Sequence, residues 1–264
     1  MNCKLNPNAT MGNSVGENML IAEDYMDAAY KKGFRQEYNV TASHATSTSS
    51  YYMSLGYLGN DGITLNSNYK RVTARLKGDY QLKPWLKAGA NFNYAHYDAN
   101  YMAEDGASNS SGNIFAYATT MAPIYPLFVR DKNGNVMTDS YGYTVYDYGA
   151  GTHGGLKRPS LPGGNAVGAA QLDVNSFEGN AFNGNMFAEL KFLKDFKFTS
   201  TNSLSLDESR GTTLTNGFYG SYKSSNGILG KAHSRVLSTN YVQTLDWRHA
   251  FTGPNVSVMA GHAS

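Results

Sequence analysis

The stretch Arg71-Val72-Thr73-Ala74-Arg75-Leu76-Lys77-Gly78-Asp79-Tyr80 decides the fold class. Successive side chains of a strand point to opposite faces, so Val72, Ala74, Leu76 and Tyr80 share one face while Arg71, Thr73, Arg75, Lys77 and Asp79 share the other. An apolar face backed by a face with Arg71, Arg75, Lys77 and Asp79 is unlike a sandwich core strand. The next segment repeats the pattern, with Leu86, Ala88, Ala90, Phe92 and Tyr94 opposite Lys87, Gly89, Asn91 and Asn93. Upstream, Tyr51, Met53, Leu55 and Tyr57 oppose Tyr52, Ser54 and Gly56. Downstream, Met186, Ala188, Leu190 and Phe192 oppose Asn185, Glu189 and Lys191, with Phe187 an exception on the polar side. Two further segments are weaker. Phe196, Phe198, Leu204 and Leu206 share a face with Ser200 and Asn202, and Leu237, Tyr241, Leu245 and Trp247 share one with Thr239 and Gln243.

Taken together, these patterns predict strands at Gln36 to Ser43, Ser50 to Leu58, Tyr69 to Tyr80, Trp85 to Asp98, Gly184 to Lys194, Phe196 to Asp207, Val236 to His249 and Val256 to Gly261. The connections alternate. His44 to Ser49, Gln81 to Pro84, Asp195 and Ala250 to Asn255 are tight, whereas Gly59 to Lys70, Ala99 to Asn183 and Glu208 to Arg235 are long. A meander with short turns at one end and long loops at the other fits a transmembrane β-barrel. The expected fold is therefore all-β, a partial antiparallel barrel of about eight strands with long extracellular loops. Residues 1–35 are expected to be loop and short helix, 36–98 four strands, 99–183 one long loop and 184–264 four more strands. In such a barrel the apolar face meets lipid, where a charge at the midplane costs roughly 2–4 kcal/mol. Tyr57, Tyr80, Trp85, Tyr94 and Tyr97 fall near strand ends, where an interfacial aromatic girdle sits.

Composition agrees. The 264 residues include 28 Gly and 20 Tyr with only 16% charged side chains, which suits pleated, half-buried surfaces better than a helical enzyme. The net charge of +2 is dispersed, giving no nucleic-acid footprint. No apolar run reaches the ~18–20 residues of a membrane helix, a fact that does not weigh against membrane strands. The start, Met1 to Asn8, has no apolar export segment, so Cys3 reads as an incidental thiol rather than a lipidated one.

Between the strands, Met19, Ala22, Met26 and Ala29 lie at helical spacing within Asn18 to Lys32, with Gly33 as a stop. Asn113 to Met121 reads as a second short helix, Val129 to Val136 as a hairpin turn around Asn133-Gly134, and Gly149 to Gly168 as mobile loop. Gly12-Asn13-Ser14-Val15-Gly16 has the nucleophile-elbow spacing but no core strand before it. Asp131, Asn133 and Asn135 begin like a calcium loop, yet the acidic twelfth position is Gly142. The six histidines show no ligand spacing, and no phosphate-cradling glycine loop occurs. The expectation is a non-enzyme with no cofactor or metal. One cluster stands out, Tyr141, Tyr143, Tyr146 and Tyr148, whose flat faces and hydroxyls suit sugar rings or a partner protein. The alternative is packing of the loop upon itself.

At Asp27 to Val40, Tyr51 to Leu58 and Asp61-Gly62-Ile63 the sequence resembles the early barrel of the SusC/RagA family of TonB-dependent outer-membrane transporters. Arg71 to Leu76, Trp85 to Asn91, Asn6 to Thr10 and Ala122 to Pro126 continue the likeness. Tyr25 stands where the family usually has tryptophan, and Ser43 and His44 where it has a glycine pair. The resemblance implies a barrel of 22 strands in the outer membrane of a Gram-negative, Bacteroidetes-like cell, of which this chain supplies a portion of the wall. It implies lipid as surroundings, a SusD-type surface lipoprotein as partner, and a glycan or peptide as cargo. Contact with the TonB complex runs through a plug that is missing here. A secreted carbohydrate-binding β-sandwich is the alternative.

Overall fold

The computed structural model describes residues 22–102, 113–131, 135–149, 158, 159, 161, 163–219 and 222–264. The strands are β1 (Phe34–Ala45), β2 (Ser49–Asp61), β3 (Asn68–Lys83), β4 (Leu86–Asn100), β5 (Val174–Phe192), β6 (Phe196–Thr215), β7 (Ile228–Ala250) and β8 (Asn255–Ala263). They form one open antiparallel sheet in chain order, each strand beside its sequence neighbours. No second sheet packs on it among the described residues, which sets the sandwich aside. The connections after β1, β3, β5 and β7 are tight and share one end, while those after β2, β4 and β6 gather at the other. No described helix is long and apolar enough to cross a membrane, which says nothing of strands.

The ladder register turns the alternation of single strands into faces of the whole sheet. One row runs Val40, Leu55, Ala74, Tyr94, Phe182, Leu206, Leu237 from β1 to β7. The adjacent row, on the opposite face, runs Thr41, Ser54, Arg75, Asn93, Asn183, Ser205, Ser238. A shallow groove of about 260 Å³ opens on that polar face, between Asn91, Asn93, Asn183, Asn185, Ser203 and Asn240. Phe187 lies on this side too, its ring 6.0 Å from the Lys87 ammonium.

On the apolar face the belt has sharp limits. On β5 to β7 it begins at the row Phe192, Phe196, Trp247 and ends at Phe182, Leu206, Leu237, ten residue steps along each strand. The next row is Asn180, Glu208, Arg235. Ten steps at ~3.3 Å, tilted by ~40°, rise about 25 Å, the height of the apolar band of a membrane barrel. Of the expected girdle, Tyr57, Tyr80 and Tyr94 share the apolar face. Tyr97 does not, since it pairs with Arg71 and Gly179 on the polar one.

Three strands run further than the sequence suggests. β5 starts at Val174 rather than Gly184, β6 continues to Thr215 rather than Asp207, and β7 starts at Ile228 rather than Val236. The expected loop over 99–183 therefore gives up its last ten residues to β5. Beyond the belt the former apolar face turns polar at Asn180, Glu208 and Arg235 while the other face mixes Ala181, Gly179 and Ser209, so the period-two signal disappears although the ladder continues. The helix expected over Asn18 to Lys32 is α1 (Tyr25–Ala29), because Asp24 caps it and Tyr30 already pairs with Thr64. Residues 18–21 lie outside the described ones. The second helix forms as α2 (Ile114–Thr120). The span expected as mobile loop to Gly168 contains the start of α3 (Ala166–Leu172).

Candidate functional site

At the long-loop end the three helices share a small core separate from the sheet. Tyr25 and Ala29 of α1, Ile114, Tyr117, Ala118 and Met121 of and after α2, Leu127, Tyr146, and Ala166, Val167 and Ala170 of α3 are buried together. Leu65, between β2 and β3, packs against them. Each helix begins with a side-chain cap: Asp24 accepts from the Asp27 amide, Asn113 from that of Ala116 and Asn165 from that of Gly168, each at 2.9 Å. Such caps satisfy donors that a short helix leaves open. Asn165, buried, also donates to the carbonyls of Leu127 (3.0 Å) and Asp147 (2.9 Å), tying α3 to the extended segment before and after residues 132–134. Gly168 allows that closeness: a Cβ there would stand 2.8 Å from the Tyr146 ring.

Polar groups clasp this core. Glu23, beside α1, takes a forked pair of contacts from Arg130 at 3.2 Å, and its amide donates to the Pro123 carbonyl. Arg158 is buried with its guanidinium donating to the Tyr117 hydroxyl (2.7 Å) and to the Gly164 carbonyl. Burial pushes the Tyr117 phenol up to about 12 against the pull of Arg158. Burial likewise raises Tyr25, whose hydroxyl donates to the Tyr125 carbonyl at 2.6 Å.

The four-tyrosine cluster divides. Tyr146 is in the core, where burial raises its phenol, and Tyr148 is half-buried, stacked on Tyr219 with ring centres 6.3 Å apart. Packing of the loop upon itself accounts for these two. Tyr141 and Tyr143 are exposed, at 76% and 52%. They meet a residue that no sequence motif singles out: Phe218, between β6 and β7, lies 6.4 and 6.1 Å from their rings and is itself 51% exposed. Asp139 builds this junction. Its carboxylate accepts from the backbone amides of Tyr141 and Tyr143, both at 2.9 Å, and from the Tyr219 hydroxyl at 2.8 Å. Desolvation is the largest influence on Asp139 and raises it, yet those donors together hold its carboxyl below the usual range. Burial and the bond to Asp139 push the Tyr219 phenol up to about 12. On the β6 side, Asn216 accepts from the amides of Phe218 and Tyr219 and is held by Asp173 at 2.7 Å.

The result is a rigidly supported, solvent-facing aromatic surface of Tyr141, Tyr143 and Phe218, able to stack and to hydrogen-bond. Asp131 caps its own turn, accepting from the Asn135 amide (2.8 Å) and side chain. Asn133 of the calcium-like sequence and the Gly12–Gly16 elbow lie outside the described residues. Among the described residues no three His, Cys, Asp or Glu side chains gather as a metal set would.

No family model matches the chain. Two curated proteins of Formosa agariphila are similar. TonB-dependent receptor P39 is 27% identical over 128 residues, 48% of this chain and 12% of its own length. TonB-dependent receptor P3 is 22% identical over 258 residues, 91% of this chain and 22% of its own. Two solved structures share the fold. One, described as the RagAB peptide importer in the closed-closed state, has a TM-score of 0.67 at 20% identity, covering 98% of this chain and 26% of that one. Another, of the RagAB peptide transporter, has a TM-score of 0.67 at 21% identity, covering 92% and 25%. These matches support a stretch of a SusC/RagA-type TonB-dependent transporter. The chain spans about a fifth of the length of the longer-matched receptor. The eight-stranded sheet thus shares its fold with part of those structures, and the helical core with its aromatic surface forms a cap at the long-loop end of the sheet.

Proposed function

We propose that this chain forms wall and loop cap of an outer-membrane TonB-dependent transporter that imports glycans or peptides with a SusD-type surface lipoprotein. One observation carries the reading. The apolar face holds a belt ten residue steps long on β5 to β7, without Asp, Glu, Lys or Arg, while the face behind it carries Asn183, Asn185, Ser203, Ser205, Ser238 and Asn240 together with Glu189, Lys191, Lys197 and Asp246. Such a sheet separates lipid from a wet interior. The belt then meets lipid, the polar face lines the lumen, and the long-loop end faces outward from the cell. Tyr141 and Tyr143, joined by Phe218, are the contact for cargo or lipoprotein, since exposed aromatics give large contact area at small entropic cost. The likeness to proteins described as peptide importers favours peptide cargo.

The test uses the complete protein. Extraction should require detergent, and affinity purification should bring down a surface lipoprotein together with bound cargo that mass spectrometry identifies. A monodisperse protein that stays soluble without detergent would overturn the membrane reading.

A further inference from the structure

The turn that carries Tyr141 and Tyr143 is one arm of a three-way backbone junction. The Val129 amide donates to the Val145 carbonyl (2.9 Å), that of Val145 to the Met137 carbonyl (3.0 Å) and that of Met137 back to the Val129 carbonyl (2.9 Å). Three residues spaced eight apart thus close a ring. One arm leaves it through the paired Thr138 and Thr144 and ends in the turn from Asp139 to Tyr143. There the Asp139 amide donates to the Tyr143 carbonyl (2.8 Å) and the Gly142 amide to the Asp139 carbonyl (3.0 Å), with Gly142 at φ +84°. Since the Asp139 carboxylate takes the amides of Tyr141 and Tyr143, the turn consumes its own backbone donors. What it offers outwards is ring faces. Charge beside those rings is mostly of one sign. Residues 135–149 and 211–227 contain Asp139, Asp147 and Lys223 as their only charged side chains, and Asp173 holds Asn216 two residues before Phe218. Elsewhere in the cap a cation already faces a ring, Arg130 lying 5.8 Å from the Phe128 centre and Arg158 5.6 Å from that of Tyr117.

We propose that Tyr141, Tyr143 and Phe218, with Asp139 beside them, form a cage for a cationic side chain, lysine or arginine, of a peptide cargo. The inference rests on the contact role given to these rings above, and it names the group they hold. The face of an aromatic ring is the negative pole of its quadrupole and attracts an ammonium or guanidinium within ~6 Å of the ring centre. Phe218 is tilted by 55° to Tyr141 and by 31° to Tyr143, so the three rings make a faceted surface and not a plane. A sugar ring stacks on one flat face and gains little from the other two or from a carboxylate. A compact cation gains from each of them, and an anion is repelled. Asp139 keeps its charge through neutral pH, because the donors around it outweigh its desolvation. Lys223, five residues past Phe218, is the one opposing charge in these two stretches.

The test titrates the complete protein, purified in detergent with the lipoprotein that accompanies it, by calorimetry. The probes are capped decapeptides of serine and glycine that differ at one central position: lysine, trimethyllysine, or the neutral isostere in which carbon replaces the trimethylated nitrogen. Both cationic peptides should bind about tenfold tighter than the neutral one. Phe218→Leu keeps apolar area but loses the ring face, and should erase that preference. Asp139→Asn keeps an acceptor for the turn amides but loses the charge, and should reduce the preference severalfold. In both variants amide exchange of the cap should match wild type, and the neutral peptide, whose affinity then stays unchanged, controls for a damaged fold. Equal binding of cationic and neutral peptides, or binding of neither, overturns the cage. So does a preference that survives in both folded variants, which puts the cation elsewhere. If Tyr141→Ala weakens all three peptides alike, the cage falls while the contact role of the rings stands. If Phe218→Leu releases the lipoprotein and leaves every peptide bound as before, the rings are a lipoprotein dock and the cage falls. A protein soluble without detergent overturns the membrane reading and leaves the peptide comparison unaffected.

Discussion

Met186 and Asn185 are neighbours in β5 and differ in which way they face, so they give the sharpest test of the wall. Met186 lies in the belt, four steps from Phe182 and six from Phe192, and is 54% exposed. Asn185 borders the groove on the polar face. Replacing Met186 by Arg places a guanidinium near the middle of the apolar band. The expected cost is roughly 2–4 kcal/mol, a factor of about 30 to 700 in the folding equilibrium. Asn185→Arg places the same group on a face that already carries Arg75 and Lys77 on nearby strands, and should change stability by about 0.5 kcal/mol or less. The measurement is urea-dependent folding of the complete protein into lipid vesicles, read from the fraction that runs as the compact band on unheated gels. Similar losses for the two variants, or a larger loss for Asn185→Arg, would refute the assignment of the belt to lipid.

Further outcomes concern the cap. Glu23→Ala takes the forked carboxylate away from the mostly buried Arg130 guanidinium; it should weaken the cap by about 3–5 kcal/mol, seen as faster amide exchange in α1 and α2 with the sheet unaffected. Tyr146→Ala removes a buried ring against Gly168 and should cost about 3–5 kcal/mol in the same exchange experiment. Tyr141→Ala and Tyr143→Ala should leave that exchange unaltered yet weaken lipoprotein or cargo binding about tenfold or more, read by titration calorimetry. The Asp139 to Tyr219 link should persist across neutral pH. A depressed carboxyl loses its contribution only as pH falls through its folded value. A raised phenol contributes fully below about pH 10 and loses its contribution as pH rises through about 12. Ultraviolet titration should show several late phenolate steps, that of Tyr117 among them, and Tyr219→Phe should lower their amplitude by one phenol.

The sheet was legible because apolar and polar side chains alternate along each strand, as Arg75 and Leu76 show at adjacent positions. Where that contrast ends, so does the signal: Glu178, Gly179 and Asn180 are in β5, yet nothing in their order distinguishes ladder from loop. Helix α3 was hidden by surrounding glycine and proline, although Asn165 before Ala-Val-Gly-Ala-Ala is a capping pattern. The exposed aromatic surface was half visible. Four tyrosines close in sequence suggest a surface, but only the fold shows that Tyr146 and Tyr148 face inwards. Phe218, about 75 residues further along the chain, had no local signal, since its role comes from Asp139 gripping Tyr219 beside it.

The cap draws on connections that belong to different strand pairs. Tyr25 precedes β1, Leu65 lies between β2 and β3, the helices α2 and α3 fall between β4 and β5, and Tyr219 lies between β6 and β7. Loops of this kind are often treated as exchangeable modules, yet here a graft of the β4–β5 connection alone would strip the cover from Tyr25 and the stacking partner from Tyr219. Divergence of the cap is thus a concerted matter, in which segments far apart in the gene must change together or be transplanted as a set.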